Sequence, residues 1–196
     1  NAALNIVREF DEPFAVGLKH MNPCGAGLGA DVVEAWKKVY EGDKTSIFGG
    51  IVAFNREVNL EVAQLLKPIF LEIVMAPSFA PDALELLRAK KNLRVLKVNM
   101  EGSVKEQMQC VSVNGGLLVQ NQDLTIVPVT ASQTVTKAVP TEGQIVDLNF
   151  AWRIVKHVKS NAITVGKARM IYGVGAGQMN RVGSAELALK QAAATL

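Results

Sequence analysis

With 196 residues, 49% of them apolar and 20% charged, the chain has ordinary globular usage and the length to bury a substantial core, which sets intrinsic disorder aside. No apolar run approaches the roughly 20 residues that cross a bilayer as a helix. The net charge is only +3 and its lysines and arginines are scattered, which excludes the basic, aromatic-studded stripe of a nucleic-acid binder.

In chain order, "NAALNIVREF" reads as an amphipathic helix without the pattern of a signal peptide. The first residue is not Met, so an upstream segment is expected to be missing. A strand at "PFAVGLK" and a helix at "ADVVEAWKKVYEG" follow, then a strand at "GGIVAFN" and a helix at "NLEVAQLLKPIF". A strand "EIVMAP", a helix "PDALELLRAKK" and a strand "LRVLKV" close the first half. Strands alternating with helices of this length predict βαβ units in a layered α/β domain, and the nearly continuous apolar strands suit a sheet covered on both faces.

From residue 100 the style changes. A polar connection over 99–107 leads to "CVSVNGGLLVQNQD", a hairpin-like insertion centred on Asn-Gly-Gly. "TEGQIVDLNFAWRIVKHVK" predicts a long helix capped by Thr141, and the strands "SNAITVGKA" and "RMIYGVG" precede a final helix from about Ser184. The division expected is a first α/β subdomain over 1–100, and over 101–196 an insertion and the start of a second, similar unit, the whole being a piece of a longer protein.

Ligands of open α/β sheets lie beyond the carboxyl ends of strands, where Lys19 and His20 fall if "PFAVGLK" is a strand. Histidine titrates near neutrality and is the usual general acid or base, and a neighbouring ammonium donates protons or steadies an oxyanion. Adjacent strand residues point to opposite faces, so both reach one site only if the strand ends between them. A hydrogen-bonded structural pair is the competing reading.

The two cysteines, Cys24 and Cys110, have neither the spacing of a zinc site nor the density of a disulfide scaffold, which predicts a reducing, cytoplasmic setting. Pro23 and Cys24 echo half of the Pro-Cys-x-x-Cys of zinc deaminases, but position 27 is Gly and no His-x-Glu occurs, so no zinc is expected and Cys24 reads as a packed thiol. "GAGLGA" fits the G-x-G-x-x-A of a dinucleotide loop with Asp43 further on, although Pro23 and Cys24 interrupt it; "GVGAGQ" lacks the Walker lysine. Tight turns and close backbone packing explain such glycines equally well. Asn161 stands at a helix-to-strand junction, where it caps or binds a carbonyl, and "KKN" at 90–92 is a solvated helix end or a phosphate contact.

Taken together, "KHMNPCGAG", "DKTSIFGGIVAFNRE", "EIVMAP", "KKNLRVL", "NGGLLVQNQD", "DLNFAWRIVKHVKSNAI" and "GVGAGQMNR", in this order, resemble the bacterial bifunctional purine-biosynthesis family that joins AICAR transformylase to IMP cyclohydrolase. The resemblance covers essentially the whole chain and is to the transformylase domain. It implies a three-layer α/β/α, cytidine-deaminase-like fold without zinc. It also implies transfer of the formyl group of 10-formyltetrahydrofolate to the 5-amino group of AICAR, and a site completed across a homodimer. By the same resemblance Lys19, His20 and Asn161 are catalytic, Phe48, Gly49, Glu72 and Lys91 bind substrate, and Arg181 supports. The family's cyclohydrolase domain, its phosphate-gripping arginine segment and its later folate-contacting stretch lie outside this sequence. An inactive folding or dimerisation module is therefore the alternative. Neither nucleic acid nor a membrane is an expected partner, and the sequence says nothing of a monovalent cation.

Overall fold

The computed structural model describes residues 1–100 and 108–196. Most of the polar connection expected over 99–107 lies outside these described residues. One sheet of seven strands, ordered β5-β4-β3-β1-β2-β9-β8, forms the middle layer. Its strands are β1 (Phe14–Lys19), β2 (Asn22–Leu28), β3 (Gly50–Phe54), β4 (Leu71–Ala76), β5 (Arg94–Lys97), β8 (Ile163–Lys167) and β9 (Met170–Gly175). Strands β3, β4 and β5 are parallel, whereas β1 is antiparallel to both β2 and β3, and β9 is antiparallel to β2 and β8. The result is a mixed sheet flanked by helices.

Helices α2 (Val32–Gly42), α3 (Leu60–Leu66) and α4 (Pro81–Arg88) cover one face, where Trp36, Val39, Phe54, Leu66, Val74 and Leu87 form a core. Helices α1 (Ala2–Val7) and α5 (Glu142–Val155) cover the other, with Ile6, Phe10, Phe14, Phe150 and Ile154 packed together. Phe10 and Phe14 stack at 4.1 Å, and Phe150 meets Phe14 edge-on at 6.3 Å. Helix α6 (Arg181–Ala193) lies along β9 and β8.

Local signals explain the helix starts. Asp31 accepts from the Glu34 amide and caps α2, Asn59 does the same for α3, and Pro81 opens α4. Thr141 and Gln144 form a reciprocal capping box at α5, as the sequence leads one to expect. Asn180 caps α6 through Gly183, so this helix begins at Arg181, ahead of the expected Ser184. Helix α3 stops before Pro68, short of the span read from periodicity.

Two sequence expectations are corrected. "NPCGAG", to which the sequence pattern assigns no strand, belongs to strand β2, and Gly25 and Gly27 let α2 lie directly on it. A Cβ at Gly25 would stand 2.4 Å from the Val39 carbonyl oxygen, and one at Gly27 would stand 2.5 Å from Lys38 Cβ. Pro23 is tolerated where the β1–β2 register shifts opposite Gly17 and Leu18. These glycines therefore serve helix packing, not a dinucleotide. Strands β8 and β9, placed by sequence in a second α/β unit, instead hydrogen-bond into the sheet begun by residues 1–100. The insertion is a hairpin as expected: among the described residues β6 (Met108–Val113) and β7 (Gly116–Asn121) pair only with each other, with every residue of both strands exposed.

Candidate active site

Antiparallel β1 brings the carboxyl end of β1 to the edge of the sheet where parallel β3, β4 and β5 begin. Strand β2 starts, β9 ends and β8 starts at that same edge. The rule of ligands beyond carboxyl ends thus holds for β1 and β9 alone, since the parallel strands present their amino ends here. Every residue singled out from the sequence for catalysis or substrate binding lies along this edge.

Strand β1 ends at Lys19, and His20 and Met21 make the two-residue turn into β2, with φ of 48° and 69°. The strand thus ends between the two candidate residues, as a shared site demands. Lys19 Nζ donates to the Phe48 carbonyl at 2.8 Å and the Gly49 carbonyl at 2.9 Å. An ammonium has three donors, so one remains for a ligand. His20 stands exposed at the tip.

The carbonyls that hold Lys19 are presented by the 43–49 loop. Asp43 starts it by accepting from the Thr45 amide at 3.0 Å and the Ser46 amide at 2.8 Å, and from Gln191 Nε2 of α6 at 2.6 Å. The carboxylate that would complete a dinucleotide motif is thus spent on folding a loop. Ile47 is buried in the α2-side core, which turns Phe48 outward. Phe48 is 65% exposed and its ring lies 5.2 Å from that of Phe70. Gly49 has a φ of 64° and accepts no side chain easily, because a Cβ would stand 3.0 Å from Lys19 Nζ and 3.4 Å from Phe70. Its amide donates to the Phe70 carbonyl at 2.8 Å.

On the far side of the hairpin, the Lys159 amide donates to Asn22 Oδ1 at 3.0 Å, which ties the 159–161 loop to β2. Asn161 is fixed in turn on the 176–180 loop: its amide and its Nδ2 both donate to the Gln178 carbonyl at 3.0 Å, and Ser184 Oγ donates to its carbonyl at 3.1 Å. One N–H and the oxygen of its carboxamide are left for a ligand. Arg181 is exposed at the start of α6 on the same edge.

Glu72 and Lys91 lie on this edge but farther along it. Strand β4 is two places from β1 and β5 is three, or about 10 and 14 Å at the usual spacing between strands. Both side chains are exposed. The "KKN" lysines divide their work: Lys90 donates to the Lys67 and Ile69 carbonyls at the end of α3, and burial lowers its pKa, while Lys91 faces solvent.

Cys24 is buried on the α2 side, and burial together with the nearby Asp43 carboxylate pushes its thiol up to about 12. It is a packing residue and not a nucleophile at neutral pH. Among the described residues no group of three or more His, Cys, Asp or Glu is placed to hold a metal ion. "GVGAGQ" also resolves into packing: a Cβ on Gly173 or Gly175 would fall 1.9 Å from the Ala188 or Ser184 carbonyl of α6. A cavity of about 1360 Å³ between the 129–141 segment, α5 and the β8–β9 turn contains none of the candidate residues.

Sequence reasoning missed Asn22 and Phe70. Asn22 bonds to a residue 137 positions away, which no local pattern signals, and Phe70 looks like the end of a helical repeat.

A sequence profile of the AICARFT/IMPCHase bienzyme family matches residues 1–191. A relative from Anoxybacillus flavithermus, the bifunctional purine biosynthesis protein PurH, is 57% identical over 192 residues. Its counterparts in Bacillus cytotoxicus and Bacillus mycoides are each 55% identical over 192 residues. Each alignment takes in 98% of this chain and 38% of the relative, so the chain spans well under half the length of the curated relatives it matches.

Proposed function

Since the chain belongs to the AICARFT/IMPCHase bienzyme family, we propose that it carries part of the formyltransferase site. There the formyl group of 10-formyltetrahydrofolate passes to the 5-amino group of AICAR during IMP synthesis. The observation that carries this reading is the Lys19 ammonium held on the Phe48 and Gly49 carbonyls beside His20, with Asn161 tied in through Asn22.

The amine of AICAR is a weak nucleophile because its lone pair is delocalised into the imidazole. Its nitrogen attacks the formyl carbon while His20 takes the amine proton. The tetrahedral intermediate then expels the folate N10, which leaves with a proton. Lys19, whose third donor is unspent, steadies the oxyanion or supplies that proton, and Asn161 orients the reacting groups through its remaining N–H and oxygen. Phe48 and Phe70 offer an aromatic wall for a planar ring, and Glu72 and Lys91 bind the base and the nucleotide farther along the edge. No step requires a metal ion.

The three-layer arrangement belongs, in this reading, to the cytidine-deaminase-like class without its zinc, an assignment supported by Cys24 being buried and alone. The setting is cytoplasmic, in keeping with two unpaired cysteines. The partner is a second copy of the protein; the exposed apolar ribbon of β6 and β7, with Met108, Val111, Leu117 and Leu118 in solvent, favours that assembly. The same ribbon supports the second reading, in which this portion alone is an inactive folding or dimerisation module.

His20→Ala in the full-length protein tests the assignment. Tetrahydrofolate release should fall by about 10²–10⁴-fold, the range for losing a general base, with AICAR affinity by calorimetry nearly unchanged. Wild-type turnover in that variant would remove His20 from the mechanism.

A further inference from the structure

We propose that Asn22 is a positioning residue that couples the His20 turn to the Asn161 loop; the inference rests on the formyltransferase reading of this edge. A two-residue hairpin turn with positive φ at both positions favours Asn, Asp and Gly. His20 and Met21 occupy it here with φ of 48° and 69°. Met21 is 75% exposed, so packing of its side chain does not hold the turn. A conformation that is sparsely populated for such residues persists when its surroundings fix it.

The surroundings fix it from both sides. Before the turn, Lys19 is anchored to the Phe48 and Gly49 carbonyls at 2.8 and 2.9 Å. After it, Asn22 Oδ1 accepts from the Lys159 amide at 3.0 Å, and its Nδ2 reaches back to the His20 carbonyl at 3.5 Å. The Lys159 carbonyl accepts from the Gly177 amide at 2.6 Å, and the next loop residue, Gln178, holds Asn161 at 3.0 Å. A line of hydrogen bonds joined by short stretches of backbone thus runs from the His20 turn through Asn22, Lys159 and the 177–178 segment to Asn161. Its essential atom is an acceptor at the δ position of residue 22. Aspartate supplies one with the same reach, giving up only the long 3.5 Å contact from Nδ2 to the His20 carbonyl, and alanine supplies none.

The test uses full-length wild type, Asn22→Ala and Asn22→Asp, with kcat, KM for AICAR, thermal midpoint and hydrogen exchange of the Lys159 amide. Asn22→Ala should lower kcat about 10–100-fold, as expected for a displacement of about 1 Å at reacting groups. KM should stay within about threefold and the Lys159 amide should lose protection. Asn22→Asp should restore both kcat and protection to within a few-fold of wild type. Wild-type kcat in Asn22→Ala, or a loss that Asn22→Asp does not recover, overturns the inference. A parallel fall in thermal midpoint with a rise in KM assigns Asn22 a merely structural role and also overturns it. If wild type itself transfers no formyl group, the formyltransferase reading fails. The exchange measurement then still decides whether Asn22 ties the two loops, and a Lys159 amide equally protected in wild type and Asn22→Ala refutes that tie. Should Asn22→Ala not fold, Asn22→Ser, too short to reach the amide, replaces it with the same expected loss.

Discussion

Replacing Gly49 with alanine separates two consequences of one methyl group. The residue has a φ of 64°, a region that costs an L side chain about 1–2 kcal/mol. The new Cβ would also stand 3.0 Å from Lys19 Nζ, closer than ordinary contact, and 3.4 Å from the Phe70 ring. The flexible end of Lys19 gives way first, and the ammonium leaves its 2.9 Å bond to the Gly49 carbonyl. Gly49→Ala should therefore destabilise the protein by about 1–2 kcal/mol in urea titration. It should also lower formyl transfer on the order of 10²-fold if Nζ moves by about 1 Å. The two losses are separable in a double-mutant cycle. In a Lys19→Ala background, Gly49→Ala should cost the same stability but change the residual rate by less than about threefold, because the ammonium it displaces is gone. Fully additive losses in rate would show that Gly49 does not act through Lys19, and wild-type rate in the single variant would refute the reasoning outright.

The two thiols should differ sharply: at pH 8 a disulfide reagent should modify exposed Cys110 in the native protein and reach Cys24, with its pKa pushed up to about 12, only after denaturation. Rapid native labelling of Cys24 would contradict its burial. Glu9 accepts from Lys156 Nζ and His157 Nε2, both at 2.9 Å. Burial pushes its carboxyl up, but the bonds from His157 and Lys156 and their charges outweigh that and hold it below its ordinary 4.5. The stability it contributes is present above the unfolded-state pKa and is lost as pH falls through the lower folded-state pKa, so the cost of Glu9→Gln, about 1–3 kcal/mol at neutrality, should shrink in strong acid. A cost independent of pH would contradict the linkage. Among the glycines, Gly173→Ala should cost more than about 3 kcal/mol or prevent folding, since its Cβ falls 1.9 Å from the Ala188 carbonyl. Gly143→Ala, with nothing within 4 Å at the start of α5, should raise stability by up to about 1 kcal/mol. Equal effects in a urea titration would refute the packing argument.

What the sequence made legible was local. The run of apolar residues in "PFAVGLK" and the cap at Thr141 each act within a few residues of themselves, and the corresponding elements are where they are expected. The Lys-His pair was legible for the same reason: it stands where a strand ends. Strand β2 was not, because Asn-Pro-Cys-Gly-Ala-Gly has the composition of a turn, and what makes it a strand is the demand of α2 for a surface without side chains at Gly25 and Gly27. The placement of β8 and β9 beside β2 was also hidden, since pairing partners are chosen in three dimensions. So was the direction of the edge: only the antiparallel pairing of β1 with β3 reveals that Lys19 meets the amino ends of the parallel strands. Asn22, bonded across 137 positions, is the site's clearest case of a residue whose role appears only with the fold.

The most direct test of the central claim follows the label. Full-length protein is given AICAR and 10-formyltetrahydrofolate carrying ¹³C in the formyl carbon, and the products are followed by carbon NMR and by tetrahydrofolate absorbance. The account predicts that the labelled carbon appears as a formamide on the 5-amino group of AICAR, one for each tetrahydrofolate released, and that Lys19→Ala and His20→Ala each suppress it. Tetrahydrofolate released with the label recovered as free formate, or no release at all from the wild-type protein, would contradict it.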